Sequence, residues 1–280
     1  MNRGKSHTGS AQLTIPKAVI MLVIFLAVQL VTTLVVAFVI GEAGLDDSAM
    51  TAVASGLAAV INTVWMTFHT RRSGIDIWDK SRAIVYSGES GRGMRIAAAA
   101  AATILLAVSA NIALNGLVQL SGVMEIDPLY AQVSKALTQG PYPVLLIVFG
   151  VLVPVAEEIA FRGIFYRAVR QRLKGTTLPI MIASLGFAIY HGNLTQGLYA
   201  LFVGVLLCVV CEAGGLIFAI LLHIGINLVS LAGSLIPCYT RVLEEPVAHW
   251  PAIAVSAVLT IVFLLATLRL LLYVKVSGRR

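Results

Sequence analysis

The chain is a succession of apolar runs, each long enough, or nearly so, to cross a bilayer, joined by short polar connections. The hydrocarbon core of a membrane is about 30 Å thick, and about 20 residues of helix cross it. Eight runs approach or exceed that length: about 16–40, 48–69, 96–121, 143–166, 177–195, 197–212, 214–236 and 251–273. Hydrophobic residues make up 59 % of the 280 and charged residues only 12 %, against about 25 % charged in soluble domains. So little charge cannot cover a water-soluble protein of this size, and so much apolar surface excludes disorder. Inside lipid every backbone N–H and C=O must find a partner within the segment, so the runs are helices. The expected fold is all-α: a single polytopic membrane helix bundle over 1–280 with eight transmembrane helices. The first run is longer than the apolar part of a signal peptide, and no small-x-small cleavage site follows it. It is expected to remain as the first helix.

Charge predicts the orientation. Sixteen of the 20 Lys and Arg fall before the first run, in the second and fourth connections and in the tail. The opposite connections hold only Lys135 and Arg241, among acidic residues such as Asp46, Asp47, Glu125 and Asp127. Basic residues mark the cytoplasmic side, so both termini are expected there. An even number of spans requires the same. The net charge of +7 is therefore read as membrane topology, with the lipid bilayer as partner and no nucleic acid. Of the three cysteines, Cys208 and Cys211 form a Cys-x-x-Cys pair with wholly aliphatic flanks, and no second pair matches them. They are expected to be packing residues, as are Asn111 and Asn115 in the third run.

An ionisable residue inside a span is costly and marks a functional site by default. Here such residues cluster late: Glu157, Glu158 and Arg162 in the fourth run, His191 in the fifth, and His223 with Asn227 in the seventh. Glu158 and Arg162 are four apart, so they meet on one helix face and can pair. Glu157 is turned onto a neighbouring face and is left for chemistry. His223 and Asn227 share a face by the same spacing, and Phe187 gives His191 an aromatic neighbour. Pro154 removes a backbone bond to Gly150 and is expected to kink the helix before Glu157.

A carboxylate and two imidazoles can bind one zinc ion, with Glu157, His191 and His223 as the ligand set. They can also act without metal. Glu157 and His191 would deprotonate a water, and His223 and Asn227 would donate to the oxyanion. Either version is peptide hydrolysis by activated water. Other intramembrane protease chemistries fit poorly. No His-Glu-x-x-His helix occurs, and no aspartate lies within a run. Gly88-Glu89-Ser90-Gly91 resembles a serine-protease motif but stands in a charged connection, where it reads as a turn. A membrane partner that acts by binding alone, such as an immunity protein, is the competing reading. A proton-coupled transporter would need paired broken helices, and only one Pro-interrupted run lies near the cluster.

The three segments Glu157-Glu158-x-x-x-Arg162, Phe187-x-x-x-His191 and His223-x-x-x-Asn227, in that order on three helices, resemble the CAAX protease and bacteriocin-processing family, also called Abi. The link from His191 to Gly204 is similar too. The resemblance covers about 143–236, expected to be the catalytic core. It implies an intramembrane endopeptidase acting on a membrane-associated protein or peptide. In it Glu157 and His191 activate water, His223 and Asn227 stabilise the oxyanion, and Glu158 and Arg162 support the site. It leaves the zinc requirement open. Short loops without added domains suggest a multi-pass protein of a bacterial plasma membrane.

Overall fold

The computed structural model describes residues 13–40, 47–78, 92–138 and 140–277. Every regular element among them is helical. They are α1 (Ile15–Ile40), α2 (Asp47–Arg72), α3 (Arg92–Leu120), α4 (Tyr130–Thr138), α5 (Tyr142–Arg172), α6 (Thr177–Tyr190), α7 (Leu194–Gly214), α8 (Leu216–Gly233), α9 (Pro237–Glu244) and α10 (Trp250–Ser277). Seven of these, α1, α2, α3, α5, α7, α8 and α10, are long and apolar enough to cross a membrane. The eighth expected span is α6, apolar but only 14 residues long. The segment holding Gly88 to Gly91 lies outside the described residues.

The chain is thus a polytopic membrane helix bundle. Helices α5 and α8 sit at its centre, with α8 packed on α3, α5 and α7. Outer pairs surround them: α1 with α2, α3 with α10, and α6 with α7. The outward faces of α1 and α10 are aliphatic and exposed, from Val19 and Leu30 to Val258 and Leu265, as lipid contact requires. Polar side chains join helices inside. Asn62 of α2 donates to the Phe25 carbonyl of α1 at 3.2 Å and accepts from Trp65 Nε1 at 2.8 Å. The connection after α2 folds back, so that Ile75 and Ile77 are buried and Ile77 lies against Gly163 of α5. The basic ends of α2 and α5 therefore share one end of the bundle.

Two local features position the site. First, α6 stops at Tyr190, short of the expected 195, and α7 begins at Leu194. Gly192 takes a φ of 72° at the break, a conformation that costs glycine little and other residues more. Asn193 caps α7 by accepting from the Gln196 N–H at 2.9 Å. The Asp127 carboxylate, from the connection before α4, accepts the Thr195 N–H at 2.7 Å and the Leu129 N–H at 3.1 Å. The broken backbone beside His191 is thereby satisfied by protein.

Second, α5 is not a uniform α-helix. It widens into π-helix at Val148–Leu152 and again at Ile159–Tyr166, on either side of an α-helical turn that carries Glu157 and Glu158. The Val153 N–H bonds back five residues to the Val148 carbonyl. In that register Pro154 withholds its missing N–H from Phe149, not from Gly150 as regular helix geometry implies. The Phe149 carbonyl is left for a side chain to cap.

The Thr195 N–H beside Asp127 holds that carboxyl below the usual aspartate range. A carboxylate with a lowered folded-state value stabilises the fold above its unfolded value of about 3.9, and the stabilisation is lost as pH falls through the lowered value. Asp127→Ala is expected to lower the thermal unfolding midpoint in detergent at pH 6. The gap to the unmodified protein closes as the measurement is repeated toward pH 2. A gap independent of pH would refute this assignment.

Candidate active site

Four ionisable side chains near the bundle centre are almost wholly out of solvent: Glu157 is 6 % exposed, Glu158 0 %, Arg162 2 % and His223 4 %. Charges so buried must be compensated by one another. Arg162 pairs with Glu158 Oε1 as the spacing predicts, reaches the Gly204 carbonyl at 3.4 Å, and lies 4.3 Å from the centre of the Phe187 ring. Gly204 lets α7 approach α6 closely: a Cβ at this position would stand 3.1 Å from the Ser184 Cα, and α6 would have to give by a few tenths of an ångström. Cys208, fully buried, also neighbours the guanidinium.

His223 adds a partner that spacing could not reveal. Its Nδ1 lies 2.9 Å from Glu158 Oε1, the oxygen that also accepts from Arg162. With Nδ1–H donating to Glu158, Nε2 faces Glu157 Oε2 at 3.7 Å. That gap is too long for a direct hydrogen bond and suits a bridging water. Glu158 is therefore the shared acceptor of the site, and Glu157 keeps its carboxylate toward the open side.

His191 is oriented by its own helix. Its Nδ1 stands 2.8 Å from the Phe187 carbonyl. A carbonyl can only accept, so Nδ1 carries the proton and a neutral ring presents Nε2 as a lone pair. Phe187 packs against both imidazoles: it meets His191 edge-on at 4.7 Å and His223 at 5.7 Å between ring centres. Asn227, one turn beyond His223, donates one amide N–H to the Phe149 carbonyl at 2.8 Å. This is the carbonyl that Pro154 leaves bare. One N–H holds α8 to the π-helical turn of α5, and the second is left.

Glu157, His191, His223 and Asn227 line one cavity of about 470 Å³. Its wall includes residues that no spacing along the chain singles out. Tyr190 hydrogen-bonds with Glu157 and with Gln29 of α1. Tyr199, Gln196 and Ser230 continue the polar lining. Tyr190 stands next to His191 in the chain, yet nothing in that adjacency shows that its hydroxyl meets a carboxylate on another helix. The zinc set proposed from sequence does not assemble: among the described residues no three His, Cys, Asp or Glu side chains are grouped to hold a metal ion.

Residues 139–229 match the family model of Rce1-like proteins, the type II CAAX prenyl endopeptidases. The match agrees with the family resemblance of the three motifs. The Rce1-like segment runs from just before α5 nearly to the end of α8 and contains all six of Glu157, Glu158, Arg162, His191, His223 and Asn227. It covers a third of the chain. No curated protein and no solved structure matches the chain.

Removing one partner of a buried pair strands the other charge, at a cost of about 3–5 kcal/mol. Arg162→Ala is expected to destabilise the protein by about that amount in denaturant titrations in mild detergent. Arg162→Lys should recover only part of it, because an ammonium lacks the forked geometry that serves Glu158 and Gly204 together. Full recovery by lysine would count against the fork.

Proposed function

We propose that the chain is an intramembrane endopeptidase that hydrolyses a peptide bond of a membrane-associated protein or peptide. The observation that carries this reading is the single cavity on which Glu157, His191, His223 and Asn227 meet, inside the segment that matches a protease family. In this reading Glu157 and the His191 Nε2 lone pair hold a water in the cavity. Glu157 takes a proton from it as the oxygen attacks the scissile carbonyl. General-base help of this kind is worth about 10²–10⁴ in rate.

The oxyanion of the tetrahedral intermediate accepts from the second N–H of Asn227 and, when His223 carries both ring protons, from its Nε2–H. One such donor is worth about 10²–10³. Both donors are held from behind, Asn227 by the Phe149 carbonyl and His223 by Glu158. They need no reorganisation as charge develops. Glu157 then returns its proton to the departing amine, leaving a carboxylic acid and an amine, which ionise to carboxylate and ammonium. Tyr190 steadies the Glu157 carboxylate through the reaction. The same reading makes the chain a multi-pass enzyme of a bacterial plasma membrane with both termini in the cytoplasm. The clustering of basic residues at one end of α2 and α5 supports it.

The test compares membranes from cells making the wild type or Glu157→Gln at equal abundance, with new protein termini mapped by mass spectrometry. Termini present with the wild type and reduced at least about 100-fold with Glu157→Gln are expected. Identical termini in the two samples would sink the proposal.

A further inference from the structure

The cavity has a second polar end, away from the glutamates, built by Asn111 of α3. Asn111 is fully buried. Its amide nitrogen lies 2.9 Å from Ser230 Oγ, 3.1 Å from the Ile226 carbonyl and 3.2 Å from the Tyr199 hydroxyl. Its carbonyl oxygen accepts from the Tyr239 hydroxyl of α9 at 2.6 Å. Four helices thus converge on one amide. Two of its partners, Tyr199 and Ser230, line the cavity.

Donor and acceptor accounting gives this cluster a direction. An amide nitrogen has two protons and only donates, so the Ser230, Ile226 and Tyr199 oxygens share those two protons and none of the three can donate to it. Asn115 donates to the Asn111 main-chain carbonyl at 3.0 Å. The Tyr239 proton goes to the Asn111 carbonyl oxygen at 2.6 Å. The Tyr199 proton is left over: its hydroxyl has no acceptor among the described residues, and its side chain lines the cavity. A buried hydroxyl proton in a mostly apolar wall is costly to leave unbonded.

Position adds the scale. His223, Asn227 and Ser230 follow one another along the cavity face of α8 at four- and three-residue steps. Seven residues of helix rise about 10 Å, close to three residues of extended peptide at about 3.3 Å each. Tyr199, tied to the Ser230 level through Asn111, stands about that far along the cavity from His223.

We infer that Tyr199 is a substrate-recognition residue: its hydroxyl donates to an oxygen acceptor of the bound peptide about three residues from the scissile bond. The acceptor is a main-chain carbonyl or a C-terminal carboxylate, both of which offer the same lone pairs. This subsite deepens the endopeptidase reading and rests on it for the place of the scissile bond. Its test needs binding only.

The probe is a fluorescently labelled hexapeptide of Leu and Ala with a C-terminal carboxamide, titrated by thermophoresis against the full-length protein in lipid nanodiscs. In a companion series each amide in turn is replaced by an ester, whose carbonyl is a weaker acceptor. A further probe carries a free C-terminal carboxylate. Loss of one neutral hydrogen bond corresponds to about a three- to tenfold weakening. The expected result is that Tyr199→Phe weakens binding by that factor and becomes indifferent to the one ester position, or to the one terminal group, that weakens wild-type binding. Sensitivity to an ester assigns a main-chain carbonyl, and sensitivity to the terminus assigns a carboxylate. Tyr239→Phe removes a proton from the same network but leaves the Tyr199 donor, so it should keep the wild-type pattern of sensitivities. Binding of every probe by Tyr199→Phe as by the wild type, or of none by either, would overturn the inference. So would loss of the pattern in Tyr239→Phe. Tyr199-dependent binding beside unchanged termini in Glu157→Gln cells would retire the endopeptidase reading and keep the subsite as a peptide-binding one.

Discussion

Glu158 is wholly buried, and much of the bundle centre is arranged around that fact. One of its oxygens takes both the Arg162 guanidinium and the His223 ring. Each partner brings a helix with it. Arg162 reaches the Gly204 carbonyl of α7 and covers the ring of Phe187 in α6. His223 fixes the turn of α8 that also carries Asn227. A charge that cannot return to water thus sets the distances among α5, α6, α7 and α8. Removing it would leave Arg162 in hydrocarbon and His223 without its orienting acceptor. The adjacent Glu157 is excluded from this network on one side and faces the cavity on the other.

A second constraint works on the backbone. Within a membrane an unpaired carbonyl is expensive, and π-helical winding together with Pro154 creates one at Phe149. Asn227 answers it. The same residue stands beside the cavity with a second N–H to spare. Structural repair and the proposed chemistry share one side chain, held by a bond that costs no ordering when substrate arrives. The break after α6 follows the same logic. Gly192 turns the chain, and Asn193 and Asp127 pay its backbone debts on α7. His191 can then stand at a helix end inside the bundle without leaving amide groups bare.

Some of this was legible in the residues. Apolar runs named the spans closely, because in lipid length and hydropathy are nearly the whole requirement. The four-residue spacing of Glu158 and Arg162 gave their pairing, since neighbours on one helix face meet whatever the tertiary fold. Expectation and structure part at α6 and α5. Hydropathy continued α6 to 195, although the Gly192–Asn193 pair carries turn chemistry that ends it earlier. Regular winding pointed Pro154 at Gly150, and only the wider turn moved the vacancy to Phe149.

The sequence by itself determined an all-helical membrane bundle, its approximate spans, and six polar residues too costly to lie in lipid without a purpose. Those follow from transfer energies and from local geometry, which are properties of short stretches of chain. Tertiary structure decided that His223 serves Glu158 as well as facing Glu157, and that Phe187 packs against both imidazoles. It also decided that Tyr190 and Tyr199 belong to the cavity and that Asn111 ties four helices together. Each of these joins residues tens of positions apart on different helices. No periodicity along one chain encodes which faces will meet. Packing in three dimensions selects those contacts, because every buried donor and acceptor must be matched at once.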